Sequence, residues 1–284
     1  MRVLILGVSG MLGNAMFRTL SELPEHQVFG TARRVAALRH FSEVLGANIV
    51  CGVDVENHDS LARVFAAVRP QFVINCIGVV KQLAAADDPL ITIPINTLLP
   101  HRLASLCKIA DARLVQISTD CVFSGKMGGY IESDFPDADD LYGRSKLLGE
   151  VDYSHAITLR TSIIGHELDG HRSLVNWFLS QEGKTQGFRQ AVFSGLPTVV
   201  LARLVRDVVL PRPDLHGLYH VAAAPISKFD LISLIASVYG KKITIEPDDR
   251  LVIDRSLDAT RLREATGYVA PGWDVLIKSM HAFG

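Results

Sequence analysis

Tyr142 and Lys146 stand four residues apart in the segment DLYGRSKLLGE (140–150). On a helix this spacing puts a phenol and an ammonium on one face. A free tyrosine titrates near ~10, and a neighbouring cation favours its phenolate. Such a tyrosine can exchange a proton with a bound alcohol or ketone near neutral pH. Upstream, Ser118, Thr119 and Asp120 end an apolar run. One of these hydroxyls could polarise a carbonyl; a lone Ser-Thr-Asp is otherwise a cap or a turn. The intervening VFSGKMGGYIESDFPDADD (122–140) is polar and glycine-rich and reads as a long functional loop. Protonating a carbonyl oxygen reduces nothing unless a separate carrier brings a hydride to the carbon.

The N-terminus offers a place for one. Val3 to Leu6 is a β-rich apolar run, followed by Gly7, Gly10 and Gly13 and then by a helical pattern through Ala15, Phe17 and Leu20 that Pro24 stops. Strand, glycine turn and helix is the context of a dinucleotide site. The first glycine turns the chain, the second admits the pyrophosphate and the third lets helix and strand pack closely. The helix-terminal N–H groups at Met11 and Leu12 then face the phosphates.

The strands that follow predict the rest of the cradle. The second strand, Gln27 to Thr31, runs into Arg33 and Arg34. An acidic residue near this point would bind the ribose 2′-hydroxyl of NAD, whereas an arginine accommodates a 2′-phosphate. NADP(H) is therefore expected; NAD(H) is the alternative if both arginines are merely solvated. The third strand, Asn48 to Val55, ends in Asp54 and Val55, placed to meet an adenine ring. Asp54 could equally cap the helix that begins near His58. The fourth strand, Phe72 to Gly78, ends in Cys76, Ile77 and Gly78, where the backbone would pass the cofactor. Lys81 and Gln82 follow closely enough to face a cleft, or belong to a solvated loop. Asn96 to Ala110 is an amphipathic helix with Leu99, Leu103, Leu106 and Ile109 on its buried side, and Asn96 either caps it or contacts nearby backbone. Arg113 to Ser118 and Ala156 to Gly165 are the fifth and sixth strands.

This alternation predicts an α/β fold, a Rossmann-type doubly wound parallel sheet with a smaller, interleaved substrate-binding lobe. Residues 1–165 form the expected NAD(P)-binding domain. Residues 166–284 are mainly the substrate lobe, with some segments returning to the sheet. In that lobe Arg255 suits a nucleotide diphosphate, unless it pairs with Asp254 on the surface.

Composition excludes several other classes. Net charge is −1, with 48% hydrophobic and 21% charged residues, which gives no electrostatic case for nucleic acid or an anionic membrane. Cys51, Cys76, Cys107 and Cys121 lie far apart, so neither zinc nor a disulfide scaffold is expected, and small buried thiols are the simpler reading. His166, His171 and His220 lack metal-ligand spacing, and no metal site is assigned. The N-terminal MRVLILGVSGMLG has no signal-peptide cleavage pattern and no run reaches bilayer length, so the cytoplasm is the expected location.

The motifs taken together resemble the extended short-chain dehydrogenases/reductases, and more closely the dTDP-4-dehydrorhamnose reductase family. The resemblance rests on GVSGMLG (7–13), ISTDCVF (117–123), Tyr130 with Glu132, DLYGRSKLLGE (140–150) and LRTSIIG (159–165). It continues more weakly through GLPT (195–198), GLYHVAA (217–223) and RSLDATRL (255–262). It implies that Tyr142 donates the proton, Lys146 holds the nicotinamide ribose and Thr119 bonds the substrate carbonyl. Ser118, at the same strand end, faces the substrate together with Asp120 and Cys121. Cys121 stands where the family usually has tyrosine, and Ile163 and His166 follow LRTS where it usually has tryptophan. The implied substrate is thus a 4-keto-6-deoxy nucleotide sugar, either dTDP-4-dehydrorhamnose or a UDP-linked N-acetylated relative, used to build surface polysaccharide. Some relatives require Mg2+, although no acidic cluster here specifies a site. A homodimer is left open. Two other readings remain: a nucleotide-sugar 4-epimerase with tightly bound NAD, and a non-catalytic NADP-binding regulatory subunit.

Overall fold

The computed structural model describes residues 1–81 and 84–284; Gln82 lies outside the described residues. Its centre is a seven-stranded sheet. In chain order the strands are β1 (Arg2–Leu6), β2 (Gln27–Ala32), β3 (Ile49–Cys51), β4 (Phe72–Asn75), β5 (Arg113–Thr119), β6 (Ala156–Thr161) and the edge strand Gly217–His220. Across the sheet they run Gly217–His220, β6, β5, β4, β1, β2, β3. The neighbours β1/β2, β1/β4, β2/β3 and β4/β5 are parallel. A sheet covered by helices on both faces needs apolar strands throughout, and Val3 to Leu6 and all of β5 are buried accordingly.

Register sets the site. Leu6 lies opposite Thr31 and Asn75, and Asn75 lies opposite Gln116. The chain therefore leaves β1, β4 and β5 along one edge, at Gly7, Cys76 and the last residues of β5. Carboxyl edges of parallel sheets are where ligands bind.

Helices α1 (Met11–Leu20), α2 (His58–Val68), α3 (Leu99–Ile109) and α4 (Leu141–Leu148) accompany this sheet. Asn57 caps α2, its side-chain oxygen accepting from Ser60 N–H at 3.0 Å. Asp54 is not the cap: its carboxylate turns the chain by accepting from Glu56 N–H at 3.0 Å. Leu61, Val64, Phe65 and Val68 of α2 join Leu99, Leu103, Ala104 and Cys107 of α3 in one core with Leu4, Leu6, Val73 and Leu114. Ile109, expected on the buried face, is 84% exposed. At 100° per residue the face centred on Leu99, Leu103 and Cys107 has turned away by that point. A π-helical stretch, Ile93–Leu98, leads into α3.

Two compact units divide the chain. The first is Met1–Ser118, Asp139–Leu159 and Ala202–Leu218; the second is Thr119–Ala138, Arg160–Leu201 and Tyr219–Gly284. The division therefore runs differently from a single cut after Gly165. The second unit has its own core, with Ile164, Val175, Phe178, Phe193, Leu231, Ile235, Ile277 and Met280. Its strand Ala191–Phe193 pairs antiparallel with Ile226–Ser227 and parallel with Ile253–Asp254, while Lys184–Phe188 pairs with Thr244–Asp248. Helix α5 (Lys228–Val238) is capped by Ser227, whose hydroxyl oxygen accepts from Asp230 N–H at 3.0 Å. No helix among the described residues is long and apolar enough to cross a membrane.

Candidate active site

In the first unit the turn after β1 is built for close approach. Gly7 has φ +85°, a region that side chains avoid, and a Cβ there would lie 2.7 Å from Ile77 Cγ1. A Cβ on Gly13 would collide with the Gly7 carbonyl. Gly10 precedes α1 with extended backbone and offers no side-chain cap, and the first turn of α1 contains no acidic residue. The first helical bond runs from Asn14 N–H to Gly10 C=O at 2.9 Å. The N–H groups of Met11, Leu12 and Gly13 thus have no intrahelical acceptor, and an anion would satisfy them.

Arg33 and Arg34 follow β2 and are exposed, and neither guanidinium has a hydrogen-bond partner among the described residues. Asp54 is exposed and Val55 half-buried beyond β3. After β4, Ile77 N–H donates to Asn75 Oδ1 at 3.1 Å, and Asn75 Nδ2 donates to Gln116 Oε1 at 2.9 Å. Gly78 leaves room beside Asn96 and Lys146: a Cβ there would sit 3.4 Å from Asn96 Oδ1 and 4.0 Å from Lys146 Nζ. Burial pushes the Cys76 thiol up to about 12 despite the opposing charge of Lys146, so it is a neutral thiol and no nucleophile. Cys107 is buried, while Cys51, Cys76 and Cys121 are partly exposed, and all are free.

Helix α4 carries the phenol and the ammonium. Asp140 caps it, accepting from Gly143 N–H at 2.7 Å, and also takes the Lys81 ammonium at 2.5 Å. Lys81 thus reaches the start of α4. Asn96 ties in further along: it accepts from Val79 N–H at 2.9 Å and donates to Val79 C=O at 3.1 Å and to Ser145 Oγ at 3.2 Å. The buried Asn96 therefore contacts backbone and does not act as a cap. Tyr142 is half-buried on the first turn. Lys146 is buried and donates to Ile117 C=O at 2.7 Å. Burial lowers its pKa to about 8, with Glu150 and Cys76 opposing. One of its three protons is committed to Ile117, which leaves two for a ligand. Ser118, expected to face substrate, is buried and donates to Glu150 Oε1 at 2.6 Å, which makes it a brace between β5 and the end of α4.

The second unit begins at Thr119 and gathers the remaining expected residues. Thr119 Oγ1 donates to Asp120 Oδ1 at 3.2 Å and accepts from Cys121 N–H at 3.1 Å. Burial raises the Asp120 pKa, against Arg255 and against hydrogen bonds from Thr119, Cys121 and Ser162. Arg255 does not pair with Asp254, whose carboxylate accepts from Ser256 N–H at 2.8 Å. Its Nε donates to Phe123 C=O at 2.7 Å. Phe123 is held in turn by Tyr130, stacked at 4.1 Å, and Tyr130 N–H donates to Ser256 C=O at 2.9 Å. Tyr130 and Glu132 thus support the site: Glu132 accepts from His220 N–H at 2.8 Å, and His220 Nδ1 lies 3.0 Å from Tyr130 C=O.

Lys228, absent from the sequence-based expectation, belongs to this cluster. It is half-buried and feels Asp120, Cys121 and Arg255 electrostatically. The available signal was a lysine at the first position of a helix, where the dipole disfavours a cation. His166 lies 2.8 Å from Tyr239 Oη and His171 is exposed. Among the described residues no three His, Cys, Asp or Glu side chains are grouped to hold a metal ion.

A profile of the RmlD substrate binding domain matches residues 1–261. A probable low-salt glycan biosynthesis reductase, Agl14, of Haloferax volcanii is 30% identical over 151 residues, 53% of this chain and 48% of the relative. The chain is thus matched to about half the length of that relative. The methionine adenosyltransferase 2 subunit beta of Danio rerio is 27% identical over 253 residues, 84% of this chain and 74% of that one. Among solved structures, a dTDP-4-dehydrorhamnose reductase of Bacillus anthracis in complex with NADP superimposes with a TM-score of 0.80 at 23% identity, covering 99% of both chains.

Proposed function

The chain belongs to the RmlD substrate-binding-domain family, and from that premise we propose that it is an NADPH-dependent reductase of a 4-keto-6-deoxy nucleotide sugar. Such a sugar would serve surface-polysaccharide synthesis, in the cytoplasm. The observation that carries the reading is the Lys146–Ile117 bond of 2.7 Å. It anchors the Tyr142 helix at the carboxyl edge of the sheet where the glycine turn also lies. The residues fit the cofactor: a glycine cradle that side chains would fill, an uncapped helix start, and two unpartnered arginines for a 2′-phosphate.

In this reading the first unit holds NADP(H) and the second holds the sugar. Bound NADPH supplies a hydride to the keto carbon. Tyr142 delivers the proton to the carbonyl oxygen. Lys146 keeps a positive charge beside the phenol, favouring its ionised form once the proton has left. Thr119 shares its hydroxyl with Asp120 in the free protein, and rotation of that hydroxyl lets it donate to the substrate oxygen. Gly7, Gly10 and Gly13 admit the pyrophosphate, and Cys76, Ile77 and Gly78 line its neighbour strand. A second reading, a regulatory subunit, is favoured by the likeness to methionine adenosyltransferase 2 subunit beta. A non-catalytic subunit has no need of Thr119, Tyr142 and Lys146 together, so the reductase is preferred.

The test is NADPH oxidation against a panel of enzymatically generated dTDP- and UDP-linked 4-keto sugars, with product configuration read by NMR. Stoichiometric consumption of NADPH is expected with at least one of them. No turnover, with stoichiometric co-purification of another enzyme, would favour the regulatory subunit; retained NAD without net consumption would favour the epimerase.

A further inference from the structure

Glu150 and Ser118 make a contact that the proposed reductase chemistry leaves unused. Ser118 Oγ donates to Glu150 Oε1 at 2.6 Å, the length of a hydroxyl on an ionised carboxylate. Ser118 is buried and Glu150 half-buried. The backbone on either side of Glu150 is fixed as well. Before it, a Cβ on Gly149 would lie 1.9 Å from the Asn96 carbonyl oxygen, so only glycine lets the end of α4 pack this closely. After it, Val151 and Thr158 bond each other twice, Val151 N–H donating to Thr158 Oγ1 at 3.0 Å and Thr158 Oγ1 donating to Val151 C=O at 2.7 Å. Glu150 stands just past the C-terminus of α4, where the helix dipole disfavours an anion, so whatever favours a carboxylate there lies outside the helix backbone.

A cation is at hand. Lys146 lies four residues earlier, and its Nζ donates to Ile117 C=O at 2.7 Å. The two charged groups are thus tied to consecutive residues of β5, Lys146 to Ile117 and Glu150 to Ser118. The Ile117 carbonyl brings the ammonium a hydrogen bond and no charge, and it also accepts from Gln116 Nε2 at 3.2 Å. Cys76, which acts on Lys146 from the end of β4, is a neutral thiol, and Tyr142 shares the helix face of the lysine. A buried ammonium without a nearby anion loses its proton readily. We propose that Glu150, held in place by Ser118, is a positioning residue that keeps the buried Lys146 ammonium charged, so that the cofactor and the Tyr142 phenol meet a cation and not a neutral amine.

The inference rests on Lys146 serving the cofactor, as in the reductase reading, but its test needs no turnover. NADPH binding to the intact protein is followed by fluorescence from about pH 6 to ~10 for the unaltered chain, Glu150→Gln and Ser118→Ala. Glutamine keeps an oxygen for Ser118 and removes only the charge. In Glu150→Gln the alkaline fall in affinity is expected to begin about one pH unit lower, leaving binding about fivefold weaker at about pH 8. At about pH 6 the lysine is charged in both proteins, and Glu150→Gln is expected to bind no more weakly than the unaltered chain. Ser118→Ala is expected to move the fall in the same direction by less. In a Lys146→Met background Glu150→Gln is expected to change nothing further, because the carboxylate acts through the lysine. An unmoved fall in Glu150→Gln, a loss that is equal at every pH, or the same loss in the Lys146→Met background overturns the assignment and leaves Glu150 a structural brace. Absence of NADPH binding by the unaltered chain removes the cofactor reading and this inference together. If the fall moves as stated but no keto sugar is reduced, the reductase reading fails and the role of Glu150 stands.

Discussion

The ammonium of Lys146 donates to the carbonyl oxygen of Ile117 at 2.7 Å, joining the helix that carries Tyr142 to the end of β5. One buried bond thereby fixes the side chain's reach, and the same burial lowers its pKa to about 8. Position and proton affinity are set by a single contact environment.

That coupling gives a pH dependence. An anionic cofactor favours the charged lysine, so the bound-state pKa lies above the free-state value. NADPH affinity should be full below about pH 8 and should weaken as pH climbs beyond it, by up to about tenfold per unit until the bound form also titrates. Fluorescence titration of NADPH between pH 6 and ~10 checks this. Lys146→Met should bind more weakly at neutral pH and lose the slope; an unaltered slope would assign it to another group.

Arg33 and Arg34 are exposed after β2, and neither guanidinium makes a hydrogen bond within the described residues. A charge-assisted bond to a 2′-phosphate is worth about 1.5–3 kcal/mol. Replacing both arginines with alanine should therefore raise the KM for NADPH roughly ten- to a hundredfold while leaving that for NADH nearly unchanged. Kinetics with both cofactors decide it, and equal losses would remove the 2′-phosphate role.

Much of this geometry was legible in the chain itself, for identifiable reasons. β1, the glycine turn and α1 announce themselves because a buried parallel strand must be apolar and because only glycine tolerates the φ of Gly7. Tyr142 and Lys146 were readable because helical spacing is local. The partner of Ser118 was not legible because strand position says nothing about which neighbour claims a hydroxyl; that partner, Glu150, is 32 residues away. The strand Lys184–Phe188, KTQGF, went unseen because it is short and polar and pairs with only one other strand. Lys228 was missed because the residues it faces come from distant parts of the chain.

The central claim is that Tyr142 protonates a sugar carbonyl while NADPH reduces it. The most direct measurement is NADPH oxidation by Tyr142→Phe with a 4-keto nucleotide sugar that the unaltered protein turns over. The account predicts a loss of about 10²–10⁴ in kcat, with the Kd for NADPH unchanged and the fold intact by circular dichroism. A Tyr142→Phe protein that reduces the sugar at the original rate would contradict it.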